Sequence, residues 1–237
     1  MKNKLIIFVC LIFFNNTLFA ENLIIKAKNI SIDKKEQITI FENEVSVKTQ
    51  DNYLITSDYA KYNKTTGVII LRDNIIGVDD KQNIIKTNYA EYNEKSKVLI
   101  TKSSTEIYTS EKYLIEGKNI TLDNNLGYIK SNEKTIITDQ DKNKIYLDNF
   151  DYQTNNNIFK SVGFIDIKDI LGNEYQFSQI YIDTKKKEIL GSDNKSFLNN
   201  NDFKINKDNK PRVFSNTIKM NKKNTEFHKS IFTLCNF

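Results

Sequence analysis

ITSDYAKYNKTTGVII, residues 55–70, is followed thirty positions later by IKTNYAEYNEKSKVLI, residues 85–100. Working outward at the same spacing gives six gapless segments: IKAKNISID from Ile25, ITSDYAKYN from Ile55, IKTNYAEYN from Ile85, IEGKNITLD from Ile115, IYLDNFDYQ from Ile145 and YQFSQIYID from Tyr175. Their sixth column holds Ile30, Ala60, Ala90, Ile120, Phe150 and Ile180, and their eighth Ile32, Tyr62, Tyr92, Leu122, Tyr152 and Ile182. Two apolar residues flanking one polar residue is strand spacing, with both side chains on one face. The next column, Asp33, Asn63, Asn93, Asp123, Gln153 and Asp183, leads into KKEQ, KTTG, EKSK, NNLG, TNNN and TKKK, which is turn chemistry in every copy.

A second strand follows each turn, carried by Ile38 and Ile40, Val68 and Ile70, Val98 and Ile100, Tyr128, Ile158 and Leu190, and polar breaks near 50, 80, 110, 140 and 170 close most units. The first and sixth columns differ in parity, so the first strand of each unit is expected to hold a bulge or a switch of face. Half-apolar hairpins bury their greasy faces only against neighbours, so the units stack edge to edge. The expected fold is all-β, an antiparallel assembly of repeated hairpins. A polar stretch at 193–211 reads as a linker or a worn repeat, and 212–237 as a terminal strand segment.

The ends and the composition set the compartment. A basic start at Lys2 and Lys4, an apolar run over residues 5–14 and a polar exit to Ala20 make residues 1–20 a secretory signal, too short in its apolar run to span a bilayer. Cys10 leaves with that signal, and the one remaining cysteine, Cys235, allows no intrachain disulfide. Without Lys2 and Lys4 the 35 basic residues become 33 against 30 acidic, a balance that points away from nucleic acid.

Catalytic constellations are scarce. His228 is the only histidine, which excludes a Ser/His/Asp or Cys/His arrangement within the repeats. Asp139, Asp141 and Asn143 begin like a calcium loop, but Lys144 stands where that loop needs glycine and Phe150 where it needs glutamate, so the string reads as a hairpin turn. No glycine-rich phosphate cradle follows any strand. The chain is read as a non-enzyme with no cofactor and no metal.

The opening ISIDKKEQITIFENEVSVKT, the recurring Y-A-x-Y-N before a turn and the signal together resemble the OstA-like family of lipopolysaccharide transport proteins, which includes LptA, LptC and the N-terminal part of LptD. The resembling stretch is residues 21–192. FENEVSVKT, residues 41–49, resembles the family line F-x-G-N-V-x-V but lacks its glycine, so the first turn is expected to differ. The tail FHKSIFTLCNF, residues 227–237, resembles the place in LptD just before its barrel. The resemblance therefore implies most closely the periplasmic domain of LptD without its barrel, with a free-standing LptA-like bridge as the alternative.

That family resemblance implies a β-jellyroll shaped as a half-open clamp, in the periplasm or beside the outer membrane. Its interior would hold the acyl chains of lipid A, with the sixth and eighth columns, Ile30 and Ile32 through Ile180 and Ile182, as the groove. Implied partners are lipopolysaccharide, other OstA-like jellyrolls joined by edge-strand addition, and an outer-membrane barrel. Two further readings stay open: a structural or adhesive β-repeat protein with a closed core, and a carbohydrate-active enzyme on a β-helix.

Overall fold

The computed structural model describes residues 23–49, 52–200, 211–221 and 223–234. The expected signal segment with Cys10, the polar residues 201–210 and Cys235 lie outside the described residues. Nineteen β-strands make up the fold among the described residues, and every pairing between them is antiparallel.

Two short strands open the fold, β1 (Leu23–Lys26) and β2 (Asn29–Asp33). Long strands follow: β3 (Ile38–Thr49), β4 (Leu54–Asn63), β5 (Val68–Val78) and β6 (Ile84–Asn93). In the middle the chain uses short strands, β7 (Val98–Thr101), β8 (Thr105–Tyr108), β9 (Leu114–Gly117), β10 (Thr121–Asp123), β11 (Tyr128–Ser131), β12 (Thr135–Thr138), β13 (Lys144–Leu147) and β14 (Phe150–Gln153). Long strands resume with β15 (Ile158–Lys168), β16 (Glu174–Asp183), β17 (Glu188–Phe197), β18 (Arg212–Met220) and β19 (Thr225–Thr233). Strand β17 continues through 193–197, and β18 pairs along it, so part of the stretch expected as a linker belongs to the sheet.

These strands build two walls. One runs β1, β3, β4, β5, β6, β8, β9, β12, β13, β15, using the halves of the long strands near Ile55, Ile85 and Ile165. The other runs β2, β3, β4, β5, β6, β7, β10, β11, β14, β15, using the opposite halves. Strands β16 to β19 extend both. The result is an antiparallel β-jellyroll whose walls meet along a corner and face each other across one core.

The corner is where side chains change face. In β4, Ile55 and Ser57 are buried and then Ala60, a shift of three rather than two, as the parity of the repeat demands. The extra residue sits on the partner strands: against β4 the pairing slips between Glu42 and Val45 in β3 and between Arg72 and Ile76 in β5. Asn43 and Glu44 have φ of 64° and 53°, and Asp73 and Asn74 have 61° and 50°, so these side chains occupy the left-handed region themselves.

Where strands break, buried hydroxyls take up the freed carbonyls. Ser57 donates to Tyr59 (3.0 Å), Thr105 to Ser103 (3.0 Å), Ser131 to Lys118 (2.7 Å) and Thr135 to Glu133 (3.0 Å). The hairpin ends are equally regular. Left-handed residues recur at thirty-residue spacing at Gln37, Gly67, Lys97, Gly127, Asn157 and Lys187, and again at Asn52, Gln82, Lys112, Lys142 and Gly172. Aspartate or asparagine caps close most of the first set, as when the Asn63 Oδ1 accepts from the Thr65 and Thr66 amides, both 3.0 Å.

Inside the second wall two rows differ in kind. The row nearer the corner alternates in size over most of its length: Phe41, Ala60, Leu71 and Ala90 are direct neighbours, as are Ile180, Gly191 and Ile218, and only at the last strand do two large residues, Ile218 and Phe227, meet. Ser131 likewise faces Phe150. Where the closed corner leaves little depth between strands about 4.8 Å apart, a large side chain is accommodated beside a small one. The row nearer the open side has no such restriction. It reads Tyr62, Ile69, Tyr92, Leu99, Leu122, Ile129, Tyr152, Phe159, Ile182, Ile189 and Met220.

Candidate functional site

The walls part along the side opposite the corner, where the hairpin turns lie. Over the first layers this mouth is closed: Tyr53, buried at the end of the first wall, donates from its hydroxyl to Asn124 Oδ1 on the second wall at 2.9 Å. Replacing Tyr53 by phenylalanine removes that bond and is expected to lower stability by about 1 kcal/mol, read as a shift of the urea midpoint.

Beyond Tyr53 the mouth opens into a cleft of about 330 Å³. Its first-wall side is Ile115, Ile137 and Ile145, with Tyr113 at the lip, and its second-wall side is Tyr152, Phe159, Ile182 and Ile189, with Met220 at the far end. Turns from both walls supply the rim: Glu111, Asp139 and Asp141 on one side, Thr184, Lys187 and Asn221 on the other. The volume is at the low end of the roughly 300–1,000 Å³ typical of small-ligand pockets. An apolar floor with a polar rim suits a flexible apolar chain whose polar end stays in water.

Three tyrosine phenols, one of them at the lip of the cleft, are held above their ordinary range. Burial, with the nearby Asp139 and Glu111 charges, pushes the Tyr113 phenol up. Burial and then Asp169 push Tyr175 up to about 12. Burial and then the Glu94 hydrogen bond push Tyr62 up to about 12 as well. Such phenols present an uncharged ring with a hydrogen-bonding tip.

The twelve expected groove residues divide by position. Ile30 and Ile32 are 53% and 67% exposed, because they lie on the outermost strand of the wall with no further layer across them. Ala60, Ala90, Ile120, Phe150 and Ile180 are almost wholly buried, so these five positions of the sixth column are packed core at the corner. In the eighth column Tyr92 and Leu122 are buried and Tyr62 is half-buried under the closed mouth, while Tyr152 and Ile182 line the cleft. The first-wall half of the cleft was not among the expected residues. Its signal was present in the column Ile55, Ile85, Ile115 and Ile145, whose opposite parity places it inward once the face switch at the corner is applied.

No catalytic arrangement emerges among the described residues. His228 is exposed on the last strand opposite Thr217. Asp139 is occupied as a turn cap, accepting from the amides of Asp141 (2.8 Å) and Asn143 (2.9 Å) and from Asn143 Nδ2 (2.8 Å). Among the described residues no cluster of three or more metal-ligating side chains forms.

A wider concavity of about 940 Å³ lies on the outer face of the first wall, edged by Glu116, Tyr146, Asp166 and Lys168. Burial and then the neighbouring Glu174 hold the Asp166 carboxyl above its usual range, against the opposing pull of Lys168. A raised carboxyl favours the protonated form in the folded state, so stability is lost as pH rises through that value. Asp166→Asn is therefore expected to stabilise the protein at neutral pH and to have no such benefit in acid, a difference that urea midpoints at the two conditions will show.

No protein-family profile matches the chain, and no curated protein matches it. Among solved structures it is similar to LptH of Pseudomonas aeruginosa, described as the LptA-homologous periplasmic component of the lipopolysaccharide transport device. That likeness has 12% identity and a TM-score of 0.21 and covers 73% of this chain and 83% of the other.

Proposed function

We propose that this protein is a periplasmic carrier of lipopolysaccharide that shelters acyl chains of lipid A in the cleft between its walls. The observation that carries the reading is the cleft itself: isoleucines from one wall face tyrosine, phenylalanine and isoleucine from the other, open along the turn side. The OstA-like sequence pattern supplies the substrate class. Roughly ten methylenes moved from water into such a lining gain about 8 kcal/mol, so no directional contact is needed. The sugar and phosphate groups remain at the rim, near Lys187, Thr184 and Asn221.

In this reading the two ends of the stack are joining edges. Strands β1 and β2 at one end pair with β3, and β19 at the other pairs with β18, each on one side among the described residues. Ile30, Ile32, Ile231 and Phe232 are exposed there, which fits addition of another OstA-like jellyroll. The arrangement suits either a free-standing LptA-like bridge or the periplasmic domain of an LptD-type protein beside an outer-membrane barrel.

A photo-crosslinking residue at Tyr152 or Ile182 is expected to capture lipopolysaccharide in cells, whereas one at Ile120 in the core or Thr65 on a distant turn is not. Equal labelling at all four positions, or none at the first two, overturns the proposal. The second reading, a structural repeat with a closed core, is favoured by the filled corner and by the Tyr53 to Asn124 closure. It predicts no capture at any of the four.

A further inference from the structure

We infer that the concavity on the outer face of the first wall binds a neutral oligosaccharide, with Asp166 as hydrogen-bond acceptor and Phe164 as stacking ring. Glu116, Ile136, Tyr146 and Asp166 are direct neighbours across β9, β12, β13 and β15, and they form its floor. With strands about 4.8 Å apart, that floor runs roughly 14 Å across them. It lies on the opposite face of the wall from the cleft, so this is a second binding function, separate from the shelter of acyl chains.

Asp166 is the unusual residue of the floor. Its neighbours Ile165 and Ile167 belong to the core, so Asp166 faces outward, yet it is only 6% exposed. Its Oδ1 has no hydrogen-bond partner, and its Oδ2 stands 3.5 Å from Lys168 Nζ, long for a charge-assisted bond. The adjoining Glu174 is, while ionised, another acceptor and supplies no donor. Lys168 is shared with Glu174 at 3.7 Å and is half exposed, so its flexible stem can swing aside and open the carboxyl to a ligand. A buried carboxyl short of donors costs the fold stability, and a ligand that brings an O–H or N–H removes that cost.

The charges of the lining decide which donor fits. Along the corner edge Lys118 and Lys134 are set against Glu133 and Asp148, and on the floor side Lys168 is set against Glu116 and Asp166. Neither sign prevails by more than one charge, so a strongly charged ligand of either sign meets like charges as well as opposite ones. A hydroxyl donor meets none. The rings complete the match, because the C–H face of a sugar lies against an aromatic ring while its hydroxyls turn to the carboxylates. Phe164 is 55% exposed and fixed at the rim: pairing of β15 with β16 slips between Val162 and Ile165, Gly163 takes φ of 114°, and Asp148 Oδ2 accepts from the Phe164 amide at 3.3 Å. Tyr146 lies on the floor beside Asp166, with Lys168 Nζ 5.9 Å from its ring centroid.

Protein recovered from the periplasm is titrated by calorimetry with chitotriose, cellotriose and maltotriose, and with spermidine and inorganic phosphate as charged probes. At least one trisaccharide is expected to bind with a Kd of about 1 mM or tighter, little changed by salt, and to bind about tenfold more weakly to Asp166→Asn and to Phe164→Ser. Phe164→Ser alters an exposed side chain outside the core, so its loss of binding is not a loss of fold, and an unchanged thermal midpoint checks this. The sugar portion released from lipopolysaccharide is then added as competitor: displacement of the trisaccharide assigns the site to lipid-borne sugar, and no displacement assigns it to a free glycan. No binding of any trisaccharide, equal binding by both variants, or binding of spermidine or phosphate in place of sugar overturns the inference. Lipopolysaccharide capture at Tyr152 is read on the other face of the wall, so either reading can fail while the other stands.

Discussion

Phe150→Ala is expected to lower the unfolding free energy by about 3–5 kcal/mol, measured by urea denaturation. The ring is 2% exposed and stacks on Phe159 with centroids 5.7 Å apart and planes 9° from parallel. It also faces the small Ser131 on the adjoining strand, so truncation leaves a void that the alternating row has no second bulky residue to fill. The position lies among the short central strands, where each pairing spans only a few residues and side-chain packing carries more of the stability. A loss below about 1 kcal/mol would show that the corner can collapse, and would restore the sixth column as accessible space.

The second large effect is the opposite error, too much volume. Gly191→Val is expected to cost about 3 kcal/mol, near the upper end for overpacked cores. A Cβ at Gly191 would stand 2.5 Å and 2.6 Å from ring carbons of Phe177 and 3.1 Å from a methyl of Ile218. Phe177 belongs to the first wall and is 4% exposed, so its ring has little space to retreat into. The glycine is therefore the notch into which one wall locks the other. Gly191→Ala should show a smaller loss of the same sign, and a thermal midpoint unchanged in both variants would sink the argument.

These two positions show what the repeat made legible. Strand spacing, the Asx-capped turns and the face switch all follow from the thirty-residue columns, and the structure has each of them. Volume was harder to read. Ala60 and Ala90 share a column with Ile120, Phe150 and Ile180, and the reason lies on other strands: Leu71 stands beside the alanines, Ser131 and Gly191 beside the larger residues. A single column cannot reveal which of two neighbours takes the space. Exposure at Ile30 and Ile32 was hidden for a related reason, since their pattern matches inner layers and only the end of the stack distinguishes them.

The candidate site was half legible. Tyr152 and Ile182 were found because the eighth column lies towards the mouth. Ile115, Ile137 and Ile145 come from the facing wall, and pairing one wall with the other requires the depth of the corner, which periodicity along the chain does not report. The closure by Tyr53 and Asn124, 71 residues apart, has no local sequence signature at all.

The thirty-residue period of left-handed turn residues also makes the fold a length gauge. Each unit contributes two strands to each wall, so with strands about 4.8 Å apart it adds roughly 10 Å along the stack. Excising residues 64–93 removes one complete unit and rejoins equivalent positions, since Lys64 and Glu94 make the same amide contact to the preceding turn. Losing one residue, by contrast, turns every following side chain to the wrong face. Reach in this protein is therefore adjustable only in whole steps, and a gap it has to span would be matched by counting units.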